Sequence, residues 1–411
     1  MGIFKDNFTL LKKASEPLYK TPKSVQQTIE ILKISEGGIF EVAPGKYSKS
    51  YKFSDVNYAT RSEDEQESFF QKYCKCLNSL DCVFKITVNN KNKDMEALKR
   101  DVMLSYENDG FDKMRKSYNN IIEEKIMEGR QGIEQERYIT ITIERKNFEE
   151  AKAQFTTIEN SMFKSFSELG SRLIPLTGDE RLKVLHDYYR LGREEEFDFC
   201  IRDRKKTGAD FRNDICNSKL KFYQDYYEDE SKVCRAIYIK KYPTYLSDRF
   251  FTELTFLPIH SITSVDVVPV PKDMTMRILQ KKYLGIESDI IKQQQTRNKN
   301  NDFSSEISYT TRRQKAEIED IMNNVRENDE SLFFVGVTMV VMADTLEELD
   351  SICESIDSIA RGAGCSIDIC QYKQREALNT ALPIGVRQIE TMRTMLTQSL
   401  AVLMPFYIQE L

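Results

Sequence analysis

Two stretches, 139–163 (ITITIERKNFEEAKAQFTTIENSMF) and 337–360 (VTMVVMADTLEELDSICESIDSIA), decide the architecture. Each opens on a run of β-branched or apolar residues and passes through a short polar turn. Each then becomes a helical pattern with an acidic pair near its start, Glu149-Glu150 and Glu347-Glu348. β-branched runs suit a buried, pleated strand, and apolar residues three and four apart suit an amphipathic helix. The likeness continues downstream. GSRLIPLTGDERLKVL (170–185) and GCSIDICQYKQREAL (364–378) each supply a further strand and helix, and Ile158 falls on Ile356, Gly170 on Gly364 and Arg181 on Arg375.

Upstream of each stretch the same order recurs. In the first half, strands are expected at 38–42 and 47–53 around a Pro44-Gly45 turn, then a helix over 61–80 and a strand at 82–88. A charged helix or helical hairpin follows from 95 to 128, broken near 108–110, before the strand at 138–143, the helix at 148–169 and a strand at 172–176. In the second half, strands at 220–223 and 233–239 precede a helix at 245–256. A strand at 261–270 comes next, which Pro269 and Pro271 must end or place on an edge. Helices over 272–295 and 312–327 flank a polar, solvent-exposed tip (QQQTRNKNNDFSS, 293–305). A strand at 332–342, a helix at 346–360 and a strand at 365–369 close the unit. The acidic, aromatic stretch 226–230 reads as a loop.

The order β-β-α-β-α-β-α-β thus occurs twice, the pattern of a duplicated α+β unit with antiparallel sheets covered by helices. The expected organisation is an N-terminal arm at 1–35, a first α+β unit at 36–177 and a helical linker at 178–214. A second unit follows at 215–370 with a helical hairpin at 272–327, and then a helical, apolar connector at 371–411.

Composition narrows the function classes. The 411 residues include 60 basic and 65 acidic side chains, a net charge of −5 that excludes a polybasic whole-chain nucleic-acid binder. Hydrophobic residues at 40% suffice for packed cores and argue against global disorder. The longest apolar run, 333–343, is well short of the ~20 residues of a membrane helix. The first residues, MGIFKDNFTLLKK, lack the apolar core of a signal peptide, and Asp6 breaks the myristoylation pattern. Nine irregularly spaced cysteines suit a reducing compartment. A cytoplasmic chain with at most peripheral membrane contact is expected.

No residue earns a catalytic, cofactor or metal role. Gly45-Lys46 comes nearest to a phosphate-binding loop, but Phe40 stands where the first glycine belongs and Tyr47 where Ser or Thr must hold Mg²⁺, so a hairpin turn is expected. The run 332–344 ends on Asp344 like a magnesium-ordering strand, yet Asp344 with Glu347 fits a helix start with a capping carboxylate. Cys74, Cys76 and Cys82 lack zinc spacing and read as core or boundary thiols. His186 and His260, the only histidines, are far apart in sequence. Basic clusters at Arg202, Arg204, Lys205 and Lys206, and at Arg312, Arg313 and Lys315, sit beside acidic neighbours and read as solvated surface.

The C-terminal residues are the most informative. QYKQREALNTALPIG (371–385) is followed by VRQIETMRTMLTQSLAVLMPFYIQEL (386–411), in which the apolar stretch at 399–408 is expected to dock against a partner outside the chain. These residues resemble the VirB/TrbE/CagE-type traffic ATPases of conjugation and type IV secretion, which include the TraE-like conjugal transfer ATPases. The resemblance rests on Gln374, Arg375, Ala377, Leu378, Leu382, Pro383, Gly385, Arg393, Met395, Thr397, Leu400, Ala401, Pro405 and Phe406, and on RAIYIKKYP (235–243) and SITSVDVVPVPK (261–272). It covers the family's N-terminal, non-motor half. It implies that ATP and Mg²⁺ belong to a RecA-like motor absent here. This half would dock the motor to polytopic membrane components of the channel at the inner face of the cell membrane, and support self-association. The alternatives are a DNA-handling adaptor of a mobile element and a nucleotide-binding protein without a P-loop.

Overall fold

The computed structural model describes residues 22, 24–58, 60–92, 103–107, 109–127, 133–191, 193, 196–208, 210–217, 219–230, 232–243, 245–247, 249–299, 308–327 and 330–406. The first half runs β1 (Lys33–Ile34), β2 (Ile39–Ala43), β3 (Lys46–Phe53), α1 (Glu63–Asn78), β4 (Val83–Asn92), α2 (Asp112–Met127), β5 (Ile133–Glu144), α3 (Phe148–Leu169), β6 (Leu173–Pro175) and α4 (Gly178–Tyr189). Two short helices, α5 (Ile201–Thr207) and α6 (Arg212–Ile215), lead to β7 (Leu220–Phe222), β8 (Tyr227–Asp229), β9 (Lys232–Lys241), α7 (Arg249–Thr255) and β10 (His260–Val270). Then come α8 (Lys272–Lys299), α9 (Tyr309–Glu327), β11 (Leu332–Ala343), α10 (Leu346–Gly362), β12 (Ser366–Ile369), α11 (Gln374–Ala381), β13 (Arg393–Leu396) and α12 (Thr397–Ala401).

Local chemistry sets these boundaries. The Asn147 side chain accepts the Glu150 amide at 2.9 Å and starts α3, and Gly170, at φ 78°, ends it in the left-handed conformation. In the matching place, Thr345 accepts the Glu348 amide at 3.2 Å and starts α10. Thr345, rather than Asp344, is therefore the cap. Asp344 reaches instead for Lys232 on β9.

All strand pairs are antiparallel and form one sheet, not two. Outward from the central pair β4·β10, the order is β4-β5-β3-β6 on one side and β10-β11-β9-β12 on the other. The two units repeat one topology about an approximate two-fold, joined through the strand that would otherwise be each unit's open edge. Pairing these edges satisfies backbone groups that two separate sheets would leave exposed. Pro269 sits in this central β10, not on an edge strand. It is tolerated because pairing with β4 runs only from Ser261 to Val267, so at Pro269 only β11 is alongside.

Strand alternation divides the core between the two faces of the sheet. Phe84, Ile86, Ile139, Ile141, Val265, Val335 and Val337 face one layer, where α1, α3, α7 and α10 contribute Phe69, Phe155, Phe250 and Ile356. Ile262, Val340 and Met342 face the other, where α4, α11 and residues 382–389 contribute Leu182, Leu185, Leu378, Ile384 and Val386.

Several expectations change. Residues 24–35 are no loose arm: Ile29 and Ile31 are buried and β1 pairs with β2, while 1–21 and 23 lie outside the described residues. The supposed linker begins with α4, a sheet-covering helix whose Leu182, Leu185 and Tyr189 are in the core. Tyr227–Asp229 is a strand, not a loop, with Tyr227 fully buried. α8 extends through Lys299 and takes in the first part of the polar tip, whereas 300–307 lie outside the described residues. The charged helix before β5 begins at Asp112, and 93–102 likewise lie outside.

The apolar connector is covered by its own chain. Leu400, Leu403, Met404 and Phe406 are buried. The Phe406 ring meets Phe69, Phe53 and Tyr73 edge-on at centroid distances of 5.5, 5.6 and 5.7 Å. The partner expected outside the chain is α1 and β3, which offer enough aromatic surface to bury the stretch. Residues 407–411 lie outside the described residues.

Candidate functional site

Polar side chains stand where the sheet's second face would be apolar in an ordinary core. Ser48 and Ser50 on β3, Thr140 and Thr142 on β5, Lys85 and Thr87 on β4, and Ser264 and Asp266 on β10 alternate with the apolar residues of the opposite face, and all are buried. Burying them requires partners. The backbone of 380–386 supplies most of these as it crosses the sheet as a strap.

The bonds run from side chains to the strap's carbonyls. Ser48 Oγ donates to Ile384 O at 2.7 Å, Ser50 Oγ to Pro383 O at 3.0 Å and Thr142 Oγ1 to Gly385 O at 3.0 Å. Lys85 Nζ donates to the carbonyls of Val386 at 2.8 Å, Leu382 at 3.3 Å and Thr380. From the second unit, Ser264 Oγ donates to Thr380 O at 3.3 Å. Arg181, on α4, donates to Gly38 O and Ser48 O at 2.9 Å each and to Pro383 O at 3.2 Å. Its guanidinium lies 3.9 Å from the centre of the Phe40 ring, and burial lowers its pKa to about 9, so it stays charged at neutral pH. Gly385, at φ +85°, gives the turn its close approach, since a Cβ there would lie 2.6 Å from both Ser48 Cβ and Thr142 Oγ1.

Both ends of the strap are pinned. On the α11 side, Gln374 accepts the Ala236 amide at 2.7 Å and donates to Cys370 O at 3.0 Å, fixing the helix to β9. Farther along, Arg137 donates from Nε to Pro405 O at 2.6 Å and pairs with Asp55 at 2.6 Å. Residues 374–406 are thereby tied to strands of both units.

Beneath the strap, Lys85 and Asp266 form a buried ion pair at 3.4 Å. Burial lowers the Lys85 pKa against the pull of Asp266, and burial raises that of Asp266 against Lys85 and Arg387. Their surroundings are backbone and packed side chains, and neither residue lines a described cleft. The pair is a clamp and not an acid–base couple with access to substrate.

One cleft of mixed polar and apolar lining lies nearby, between α4 and the sheet, with Val340 and Met342 on its apolar side. Asn89, Lys91, Asp187, Tyr188, His260 and Ser261 help line about 260 Å³ of space, counting its open mouth. It has room for roughly one ordered water. Lys91 Nζ joins Glu136 at 2.9 Å and Asp187 at 3.1 Å. Although burial opposes it, Lys91 with Lys52 holds the Glu136 carboxyl down at about 2. Burial, aided by Lys232 and Lys91, pushes the His260 imidazole down to about 4, so it is neutral at physiological pH. His186, next to Asp187, turns its ring to Phe197 at 5.1 Å. The fold thus brings both histidines near one network, which ties α4 to β4 and β5 and is too tight for an organic substrate. A second cleft of about 270 Å³ is apolar, a packing gap between Phe53, Tyr73, Phe166 and Phe406.

The remaining candidates take structural places. Gly45-Lys46 forms the β2–β3 turn, with Gly45 at φ +74°. Cys74 and Cys76 are buried and Cys82 is half-buried; burial pushes all three thiols up to about 12. Among the described residues, no group of three or more His, Cys, Asp or Glu is arranged to hold a metal ion. Arg202 pairs with Glu36 at 3.2 Å, Arg204 with Asp214, and Lys206 with Asp203 at 3.2 Å. On α9, Arg312 and Arg313 are exposed, while Lys315 pairs with Glu287 at 3.1 Å. Among the described residues, no helix is long and apolar enough to cross a membrane.

Sequence reasoning missed the strap because Ser, Thr and Lys alternating along strands resemble a solvated face. The one available signal was that these polar positions occur in four neighbouring strands at once. No protein-family model matches the chain, and no curated protein matches it.

Proposed function

We propose that the chain is the assembly and docking part of a conjugation or type IV secretion ATPase, the part that positions the motor rather than the part that hydrolyses ATP. The observation that supports this is where the resemblance falls. Of the residues that carry the likeness, Gln374, Leu382, Pro383, Gly385, Met395, Leu400, Pro405 and Phe406 belong to the strap or its two anchored ends, while 235–243 and 261–272 fall on and just beyond β9 and β10. A segment tied by buried hydrogen bonds to both halves of one sheet is suited to hold an attached domain in a fixed position. In the family that the chain resembles, this stretch leads into the motor, to which ATP and Mg²⁺ would belong.

In this role the chain sits peripherally at the inner face of the cell membrane, held by polytopic components of the channel. Capture of such a component from membranes by the tagged chain tests the reading, as does a G-x-x-x-x-G-K-[ST] motif in the coding sequence beyond codon 411. A DNA-handling adaptor would instead show salt-dependent DNA binding. It draws little support from Arg202, Arg204 and Lys206, which already face carboxylates. A nucleotide site without a P-loop would show ATP hydrolysis that is lost in Lys46→Ala.

A further inference from the structure

Two buried oxygens at the outer edge of the second unit lack a donor. Asn217, just before β7, donates both of its amide hydrogens, one to Tyr189 O at the end of α4 and one to Asp229 Oδ1 on β8 at 2.7 Å. Both partners are acceptors, so the amide has one orientation, and its Oδ1 is left without a partner. Asp229 Oδ2 is likewise without one. The two residues are 7 and 3% exposed, which puts both oxygens out of reach of bulk solvent. The Tyr189 hydroxyl, a possible donor, is itself unpartnered and so reaches neither.

No basic group fills the place. Among the described residues, no Lys, Arg or His pairs with Asp229. Lys232, opposite it in the β8–β9 ladder, reaches Asp344, and Arg190 donates to Asn213 O and Cys216 O at 3.1 and 3.2 Å. Arg193 stands 3.7 Å from the neighbouring Glu230. The other titratable groups around Asp229 are Tyr188 and Tyr189 on α4, Cys216, Tyr227 on β8 and Cys234 on β9. Burial pushes all five up, so they are neutral. A single proton completes the set. On Oδ2 it gives Asp229 one donor, and the acceptor left open on the residue it already touches is Asn217 Oδ1. Acid and amide then hold each other by two bonds, with no charge buried. Burial also raises the Asp229 carboxyl to about 7, Asn217 opposing and Glu230 adding to the rise.

We propose that Asp229 is a neutral carboxylic acid in the folded chain at pH 6, donating from Oδ2 to Asn217 Oδ1, and that this proton fastens the β7–β8 edge hairpin to the end of α4. Above pH 7 the proton leaves to solvent, and the hairpin opens locally so that water reaches the unpaired charge. At the hairpin's tip Gln224 O accepts the Tyr372 amide at 2.6 Å, two residues before Gln374, so the fastening reaches the anchored end of the strap. Infrared spectra of the full chain at pH 6 and 8.5, with hydrogen exchange of the 219–230 segment by mass spectrometry, test this. A protonated-carboxyl band is expected at pH 6, lost at pH 8.5 and missing from Asp229→Asn. Once exchange is corrected for its intrinsic pH dependence, protection of the segment should fall several-fold over the same range in the wild type. It should stay constant in Asp229→Asn, whose amide can make both bonds at any pH. A carboxylate already ionised at pH 6, its oxygens served by a bound water, would overturn the proposal. So would a wild-type hairpin whose protection ignores pH, or an Asn variant that loses protection as the wild type does.

Discussion

Lys85 on β4 and Asp266 on β10 face each other across the strand pair that joins the two halves, with Nζ 3.4 Å from Oδ1 and both side chains buried. The same ammonium also donates to three carbonyls of the strap. One side chain therefore couples the first unit, the second unit and the segment that crosses them.

Removing one member of this pair leaves the other charged and buried. Lys85→Met should lower the unfolding free energy by about 3–5 kcal/mol, and Lys85→Met with Asp266→Leu should lose less than Lys85→Met alone. Urea unfolding measures both. Equal stability of wild type and Lys85→Met would mean that the strap does not depend on this residue.

The strap's close approach is tested at Gly385. Ala at φ +85° would be strained and would press its Cβ on Ser48 and Thr142, so Gly385→Ala should cost about 2–4 kcal/mol. Gly170→Ala is the control. It has a similar φ of +78° but no atom near the added Cβ, and should cost about 1 kcal/mol. Thermal unfolding of the two variants should separate clearly.

Phe406 reports on whether the apolar C-terminal stretch is covered by its own chain. Truncating this fully buried ring in Phe406→Ala should cost about 3–5 kcal/mol in denaturant unfolding. A loss below about 1 kcal/mol would place the ring outside the core.

Asp229, which is buried, and His260, which is half-buried, give opposing pH dependences. Burial raises the Asp229 carboxyl to about 7, so between about pH 4 and 7 the folded chain keeps a proton that the unfolded chain has lost, and stability falls as pH rises. Burial lowers His260 to about 4, so between pH 6.5 and 4 the unfolded chain binds a proton that the folded chain refuses, and stability falls as pH drops. From pH 4 to 6.5 the two slopes nearly cancel. Asp229→Asn should therefore gain a stability that rises by about 1.4 kcal/mol per pH unit in that window, and His260→Gln one that falls by a similar amount. Unfolding curves at four pH values distinguish the two signs.

Much of the fold was legible in residues whose local chemistry is self-contained. Asn147 and Gly170 bound α3 wherever it packs, and Pro44-Gly45 dictates a hairpin turn without reference to its surroundings. The duplication showed through Glu149 and Glu347 because each follows a strand and opens a helix in the same way. The single sheet did not show. CVFKITV and SITSVDVVPV announce buried strands, but nothing in either names the other as its neighbour. The site was least legible of all. Ser48, Thr140 and Lys85 look like a solvated face until 380–386 is laid over them, a contact that spans some 240 to 340 residues of chain.

Affinity capture of membrane partners tests the central claim most directly. The tagged full chain, expressed in cells carrying the intact transfer system and extracted in mild detergent, is expected to retain a polytopic membrane component of that system. Gly385→Ala should weaken this capture at a temperature where the variant is still folded. A folded wild-type chain that captures no such component, yet hydrolyses ATP by itself, would contradict the claim.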